Sequence, residues 1–381
     1  MTLIASINPT GTPILIGDLL LSRQNSELPS VDVPTLGELR HFDRIVNWNR
    51  REKTTQVGLA QKINILSENL VIAWSGDYIR ARIILRILRD ETADSDLSYD
   101  LIRKILDKHS DVIEDKVSLI GMLRMSNGVV AAFFQNAHMF DVPGYDEFIY
   151  AGSGQFQYYE HLMNFSIGSR QRHNPNRYPQ DLLDPAGTAW RLLALELVSG
   201  DTLFSYYGGG FEVAYAGNET GMTKIDDVVH FCWYFDVNDL SKPPILWNGV
   251  TKCNYKNDDL IINRLLISDS LEQNESHLLL EKRYPVQPLV RRLGFVPKQE
   301  DAIESAEIDY LAEWNCNHFY IRLNELRYVL LTSVCHTKSR NSPVKVFVDG
   351  GKVRFEKNMD YLEACRTEFL EEVKRQLHAS P

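Results

Sequence analysis

Residues 2–18 read TLIASINPTGTPILIGD, and the fold prediction starts from the pattern of this stretch. Two short apolar runs, 2–7 and 13–16, are separated by a turn of sequence NPTG. Such a pattern predicts a β-hairpin. In an antiparallel pair of strands joined by a short turn, the two far ends lie side by side. The hairpin therefore places Thr2 close to Asp18, which ends the second predicted strand.

Thr2 follows the initiator Met. Because the side chain of Thr2 is small, methionine aminopeptidase can remove Met1 and leave Thr2 as the first residue. The free α-amine then has a pKa of roughly 8 and can act as the general base for the hydroxyl of the same residue. This chemistry requires a nearby cation and a carboxylate that orients the cation. Lys62, at the start of the next predicted strand, and Asp18 are the candidates, and Lys53 is the alternative cation.

Beyond the hairpin, the hydrophobic periodicity predicts groups of strands that alternate with pairs of helices. The strands are predicted at 62–65, 70–74, 117–125, 129–134, 147–151, 202–207, 211–216 and 228–235. The helices are predicted at 77–88, 98–108, 155–166 and 185–198. Glycines 208–210 are interpreted as the hinge of a bulged hairpin and not as a phosphate loop, because the Gly-Lys-Ser/Thr ending is absent. This order of elements is typical of a layered α+β fold.

The length of 381 residues fits two domains of moderate size. The first domain is predicted at 1–240, with an insertion at about 22–56. The second is predicted at 241–381, after a Pro-rich break of sequence SKPP. It is expected to be a mixed α/β domain with a hairpin at 344–355 and an amphipathic helix at 360–377.

The composition restricts the functional class. A net charge of −10 argues against a nucleic-acid-binding protein. The five cysteines are scattered without a CxxC spacing, which disfavours a disulfide framework or a zinc site, and no metal or other cofactor is expected. No apolar run reaches about 18 residues, so no transmembrane helix is expected, and the N-terminus lacks the basic region of a signal peptide. We therefore expect a cytoplasmic protein that binds neither nucleic acid nor membrane.

Four segments together resemble the bacterial HslV peptidase and the proteasome β-subunits. They are TLIASI with GTPILIGD at the start, KINIL followed by SGDYIRA, AGSG at 151–154, and LELVSGDTLF at 195–204. The resemblance covers roughly residues 2–235 and keeps the order of elements of that family. It implies a four-layer αββα sandwich of the N-terminal-nucleophile (Ntn) hydrolase type, followed by the mixed α/β domain.

The same resemblance implies the active site of a threonine peptidase. Thr2 is then the nucleophile, Lys62 lowers the pKa of its hydroxyl, and Asp18 holds Lys62 in place. Ser153 helps to polarise the terminal amine, and a backbone N–H near Gly76 binds the oxyanion of the intermediate.

Asp201 matches a position near the active site of that family and is a candidate supporting residue. Family members form rings that enclose their sites, and HslV-type enzymes work with an ATP-driven unfoldase. The resemblance therefore implies a polypeptide substrate and a homo-oligomeric ring. Any unfoldase would be a separate protein, because this chain has no nucleotide-binding motif.

These residues also have purely structural interpretations. Asp is common in turns, which gives Asp18 a structural role, and Lys62 is typical of a charged residue at the solvated end of a strand. Ser153 is typical of a helix N-terminus, and Thr2 is then an ordinary second residue of the chain. Two other functions therefore stay open. One is a catalytically inactive ring scaffold or sensor with the same fold, and the other is an Ntn amidase that acts on a small molecule or a protein conjugate.

Overall fold

The computed structural model describes residues 2–8, 12–24, 33–34, 54–141, 147–154, 156, 158–159, 182–217, 221–242, 244–268, 275–296, 310–323, 328–336 and 343–378. Most of the insertion predicted at 22–56 and most of the helix predicted at 155–166 lie outside these residues. The described residues form a mixed α+β fold in which strands predominate.

The strands of the first half of the chain are β1 Leu3–Ile7, β2 Ile14–Asp18, β3 Leu20–Gln24, β4 Thr54–Leu59, β5 Ile63–Ser67, β6 Leu70–Gly76, β7 Val117–Arg124, β8 Val130–Gln135, β9 His138–Asp141 and β10 Glu147–Gly152. Those of the second half are β11 Phe211–Gly217, β12 Gly221–Lys224, β13 Val228–Phe235, β14 Ile245–Lys256, β15 Asp259–Ile267, β16 Glu275–Val286, β17 Trp314–Arg322, β18 Tyr328–His336, β19 Val344–Asp349 and β20 Lys352–Lys357. The described helices are α1 Tyr78–Thr92, α2 Tyr99–Lys108, α3 Ser110–Ile113, α4 Leu183–Ser199, α5 Asp201–Phe204 and α6 Met359–His378. None of these helices is both long enough and apolar enough to cross a membrane.

The predicted N-terminal hairpin is confirmed, and it forms the centre of a sheet. β1 pairs antiparallel with β2, so that Ile4 lies opposite Gly17 and Ile7 lies opposite Ile14. β1 also pairs antiparallel with β10, and β2 pairs antiparallel with β11. In the described part of the chain, the order of this six-stranded sheet is β12-β11-β2-β1-β10-β9.

A second sheet, with the order β5-β6-β7-β8 among the described strands, packs against the first. Successive side chains of a strand point to opposite faces, so Ile4 and Leu15 face the second sheet while Leu3, Ile14 and Ile16 face away from it. Buried apolar side chains of both sheets meet between them: Ile4, Leu15, Ile63, Val71, Ala73, Ile120, Met122, Ile149, Ala151 and Ala214. This shared core fixes the register, because a slip of one residue would exchange the two faces of a strand.

Helices cover the outer faces of the two sheets. On the second sheet, Ile84 of α1 and Ile105 of α2 pack with Ile72 and Trp74. On the first sheet, Ala186, Ala189 and Leu192 of α4 pack against the side chains of β1 and β2 that face away from the second sheet. α4 ends at Gly200, whose φ of 71° gives the left-handed turn that commonly ends a helix.

A third sheet follows in the chain, with the order β18-β17-β13-β14-β15-β16-β20-β19 among the described strands. β13 pairs parallel with β17 and antiparallel with β14. One face of this sheet packs on α4 through Trp314 and Tyr320. The other face packs on α6, where the rings of Phe235 and Phe369 have centroids 4.9 Å apart. The predicted C-terminal hairpin and helix are both confirmed.

The predicted domain boundary falls inside the third sheet. β13 precedes residue 240 and β14 follows it, and the two strands pair with Tyr234 opposite Ile245. The division into domains at 240 stays a prediction. The pairing means that a cut at this point would separate two hydrogen-bonded neighbours.

The strand predicted at 202–207 is wrong, because α5 begins at Asp201. The segment TLFSYY is rich in residues that favour strands. However, the left-handed Gly200 leads straight into a second helical turn, and the Thr202 hydroxyl donates a hydrogen bond of 2.6 Å to Glu196 on α4. This tertiary contact overrides the local preference. Glycines 208–210 consequently lead from a helix into β11 and do not form the hinge of a hairpin.

Ile84 and its neighbour Ile83 offer a matched test of the α1 interface. Ile84 is fully buried, whereas Ile83 is 44% exposed on the same helix. We expect Ile84→Ala to lower the free energy of unfolding by about 2–5 kcal/mol, because it leaves a cavity. Ile83→Ala is expected to change it by less than about 1 kcal/mol. Urea denaturation of the two variants measures the difference, and equal losses would contradict this packing of α1.

Candidate functional site

Thr2 and Asp18 meet at the open end of the N-terminal hairpin, as its geometry predicts. The Thr2 hydroxyl donates a short hydrogen bond to Asp18 Oδ1. The Leu3 amide donates to the same oxygen at 3.1 Å. Thr2 is 2% exposed and Asp18 is fully buried. The hairpin thus brings a hydroxyl and a carboxylate together in a site shielded from water.

The second oxygen of Asp18 binds the glycine loop at 208–210. The Gly208 amide donates to Asp18 Oδ2 at 2.9 Å. The Gly208 carbonyl accepts from the amides of Leu19 and Leu20 at 3.0 and 2.8 Å. Asp18 therefore contacts the loop both through its side chain and through the backbone that follows it.

Glu196 on α4 fixes this loop from the other side. Its carboxylate accepts from the Gly209 amide at 2.7 Å and from the Thr202 hydroxyl at 2.6 Å. At Gly208, φ is 120°, and an added Cβ would lie 1.8 Å from Glu196 Oε2. Glycine is required here both by the backbone conformation and by the closeness of the carboxylate. Sequence reasoning missed these residues, although three consecutive glycines were the available signal.

Lys62 is buried immediately before β5, beside β2. Its Nζ lies 4.4 Å from the centre of the Trp74 ring, a cation–π distance. An added Cβ on Gly17 would lie 3.1 Å from Lys62 Cβ, so the lysine packs directly against the residue before Asp18. The side chains of Lys62 and Asp18 attract each other by charge. Within the described part of the chain they form no direct ion pair, and the holding of Lys62 by Asp18 stays a prediction.

Burial disfavours the charged forms of both groups. It lowers the pKa of Lys62 to about 8, although the charges of Asp18 and Glu212 act in the opposite direction. Burial also raises the pKa of Asp18, although Lys62, the Thr2 hydroxyl and the two amides oppose that shift. In both cases the loss of water outweighs the attraction between the charges. Lys62 can therefore gain and lose a proton close to neutral pH.

Glu212, which sequence reasoning also missed, fixes the backbone of Lys62. It lies on β11 opposite Gly17. Its Oε2 accepts from the Lys62 amide at 3.0 Å, and its Oε1 accepts from Lys224 Nζ at 2.5 Å and from the Tyr255 hydroxyl at 2.8 Å. A buried carboxylate with these donors holds the start of β5 against β11.

Ser153 lies beside Thr2, at the end of β10. Its hydroxyl donates to the Thr2 carbonyl at 3.5 Å, and the Gly154 amide donates to the same oxygen at 3.3 Å. An added Cβ on Gly152 would lie 2.0 Å from that carbonyl. The GSG segment thus encloses the Thr2 backbone, while polarisation of the Thr2 amine by Ser153 stays a prediction.

The remaining predicted residues are placed less closely. Gly76 is the exposed last residue of β6, two positions after Trp74, and its φ is 99°. An added Cβ there would lie 2.1 Å from the Lys116 carbonyl. Asp201 begins α5, and its side chain lies outside the described part of the structure, as does all of Lys53. The roles of these three residues stay predictions.

The described side chains include no group of three or more His, Cys, Asp or Glu residues arranged to hold a metal ion.

In comparisons with known proteins, neither a protein-family model nor a curated protein sequence matches this chain.

Gly208→Ala tests the clamp on Asp18, by which we mean the hydrogen bonds that join Asp18 and Glu196 to the glycine loop. The new methyl group would displace the loop from Glu196, and we expect a loss of at least about 3 kcal/mol in the free energy of unfolding. Gly128→Ala is the matched control, because Gly128 has a φ of 81° with no atom within 4 Å of the added Cβ. The control carries only the backbone cost of about 1–2 kcal/mol. Urea denaturation measures both, and equal losses would contradict the clamp.

Lys62→Met tests the lowered pKa. The pKa of this lysine is about 8 in the folded chain and about 10.4 in the unfolded chain. Between these values the unfolded chain binds more protons. The free energy of unfolding of the parent protein, relative to that of Lys62→Met, should therefore rise with pH. The slope is at most about 1.4 kcal/mol per pH unit. Urea denaturation at a series of pH values measures this difference.

Two further variants control the experiment. Lys104→Met, on the exposed face of α2, should run parallel to the parent protein over the same pH range. In Asp18→Asn the rise should begin at lower pH, because the carboxylate that favours the ammonium form is gone. Parallel curves for the parent protein and Lys62→Met would contradict the shift.

Proposed function

We propose that this chain is a threonine peptidase of the proteasome-like Ntn hydrolase class, with Thr2 as its nucleophile. The observation that carries the proposal is the contact of the Thr2 hydroxyl with Asp18, in a buried site that also contains Lys62. A hydroxyl, a carboxylate and an amine with a pKa of about 8 are the groups that such a nucleophile requires.

The arrangement of layers supports the same class. Two sheets pack face to face, α1 and α2 cover one outer face, and α4 covers the other. This order of layers is compatible with the αββα sandwich that the sequence resemblance implies. Thr2 directly precedes the central strand β1, which agrees with the position that the resemblance implies for the nucleophile.

The proposed reaction begins once the residues before Thr2 are removed. Thr2 Oγ attacks the carbonyl carbon of the scissile bond and gives its proton to the free α-amine. The oxyanion is bound by a backbone N–H near Gly76. Collapse of the intermediate expels the leaving amine, which takes the proton, and water then hydrolyses the ester on Thr2. Lys62 favours the deprotonated hydroxyl, Asp18 supports Lys62, and Ser153 orients the amine.

The proposal includes a polypeptide substrate and a homo-oligomeric ring that encloses the site. It also leaves a place for a separate ATP-dependent unfoldase. Asp201 is proposed as a supporting residue, because α5 leads into the glycine loop that binds Asp18.

A non-catalytic scaffold is the second candidate, and the burial of Thr2 favours it. Thr2 is only 2% exposed, and its hydroxyl is already bonded to a carboxylate, so little of it is accessible to a substrate in this structure. In this case the contacts of Asp18 serve stability alone. The two candidates differ in whether Thr2 reacts after the residues before it are removed.

The test uses a cleavable fusion that releases the chain with Thr2 as its first residue. The protein is treated with a threonine-directed epoxyketone or boronate, and its intact mass is measured. We expect one adduct on the parent protein, none on Thr2→Ala, and a slower adduct on Thr2→Ser, which keeps the hydroxyl. Asp18→Asn should reduce the rate of adduct formation by about 10²-fold or more, because it removes the charge beside Lys62.

Folding is checked in parallel, since a misfolded variant would also fail to react. The thermal midpoint of Thr2→Ala should stay within a few degrees of that of the parent protein. A folded protein that begins with Thr2, forms no adduct and cleaves no peptide would rule out the peptidase and leave the scaffold.

A further inference from the structure

A cavity of about 240 Å³ lies between β5, β12 and the third sheet. Its walls come from four separate parts of the chain, within 61–65, 222–226, 255–258 and 288–292. The volume lies just below the range of roughly 300–1,000 Å³ found for pockets that take drug-sized ligands. The cavity therefore suits a smaller molecule.

This cavity is separate from the Thr2 site. Successive side chains of β5 point to opposite faces. Ile63 and Ile65 line the cavity, whereas Lys62, just before the strand, places its Nζ over the Trp74 ring on the other side. A molecule bound here would not touch Thr2 or Lys62 Nζ.

The charged groups of the cavity are of both signs. Asp226 is an exposed residue, but partial burial of its carboxylate raises its pKa, and one of its oxygens accepts from the amides of Tyr255 and Asp227 at 2.6 and 2.7 Å. Arg292 is 53% exposed, and its guanidinium is 3.6 Å from Asp258. The cavity thus presents an anion and a cation that both remain accessible to a ligand.

The positive charge of Lys224 is paired within the protein and is not available to a ligand. Its Nζ donates to Glu212 at 2.5 Å and to Gln61 Oε1 at 2.6 Å. Its side chain is 7% exposed. Arg292 also has a partner, Asp258, but that pair is longer, at 3.6 Å, and more exposed than the pair of Lys224 with Glu212. The charges available to a ligand are therefore those of Asp226 and Arg292. The apolar part of the wall is formed by Ile63, Ile65, Met222 and Val290.

We propose that this cavity binds a free α-amino acid with an apolar side chain. The ammonium group pairs with Asp226, the carboxylate pairs with Arg292, and the side chain lies against the apolar wall. A hydrocarbon would pair with neither charged residue, and a simple amine or a simple carboxylate would pair with only one of them. The site is independent of whether Thr2 is a nucleophile.

The experiment is isothermal titration of the full chain with L-leucine and with two analogues, each of which lacks one charge. Leucinamide keeps the ammonium and loses the carboxylate charge, and 4-methylpentanoate keeps the carboxylate and loses the ammonium. We expect each analogue to bind at least about ten-fold more weakly than L-leucine. L-Alanine should also bind more weakly, because it lacks the apolar side chain.

Two variants assign each charge to its partner. In Arg292→Gln, L-leucine and leucinamide should bind equally, because the partner of the carboxylate is gone. In Asp226→Asn, L-leucine and 4-methylpentanoate should bind equally. Arg103→Gln, on the exposed face of α2, is the matched control and should bind as the parent protein does. All three positions are exposed, so the variants should fold.

Two results would overturn the proposal. One is the absence of L-leucine binding by the parent protein at millimolar concentration. The other is binding that both cavity variants leave unchanged. Neither result bears on the peptidase proposal, because the adduct on Thr2 is measured without an amino acid present.

Discussion

The buried carboxylate of Asp18 is the interaction on which the rest of the site depends. A carboxylate without water requires hydrogen-bond donors, since an unpaired buried charge is strongly unfavourable. Asp18 obtains them from the hydroxyl of Thr2, the amide of Leu3 and the amide of Gly208. The last of these donors is 190 positions away in the sequence. The hydrogen bonds to this one side chain therefore bring together the start of β1, the end of β2 and the glycine loop.

Glu212 is a second buried carboxylate that also fixes part of the site, and it lies on the neighbouring strand β11. On β11, Phe211 lies opposite Asp18 and Glu212 lies opposite Gly17. Asp18 binds the hydroxyl of Thr2, whereas Glu212 binds the backbone of Lys62. The two acids thus fix the hydroxyl of Thr2 and the backbone of Lys62. Glu212 also accepts hydrogen bonds from Lys224, which lines the cavity beside β5, and from the amide of Ile63, the first residue of β5.

The sequence predicted the parts of the site that depend on local pattern. The turn NPTG between two apolar runs implied the hairpin, and the hairpin implied that Thr2 and Asp18 are neighbours. Glu196, Gly208 and Glu212 could not be found in this way. Gly208 and Glu212 contact residues that are 190 and 150 positions away, and Glu196 acts through a loop that had been interpreted as a hairpin. The misassigned strand at 202–207 has the same cause, because contacts with α4 override its local preference.

The central position of β1 has a consequence for the order of events during synthesis. Of the described strands, β1 is synthesised first, whereas its neighbour β10 ends at Gly152 and β11, the neighbour of β2, ends at Gly217. At 5–20 residues per second, roughly ten to forty seconds pass before these partners exist. Until then Thr2 and Asp18 lack the partners that bury them. The topology therefore delays the closure of the sheet around Thr2 until β11 has been synthesised.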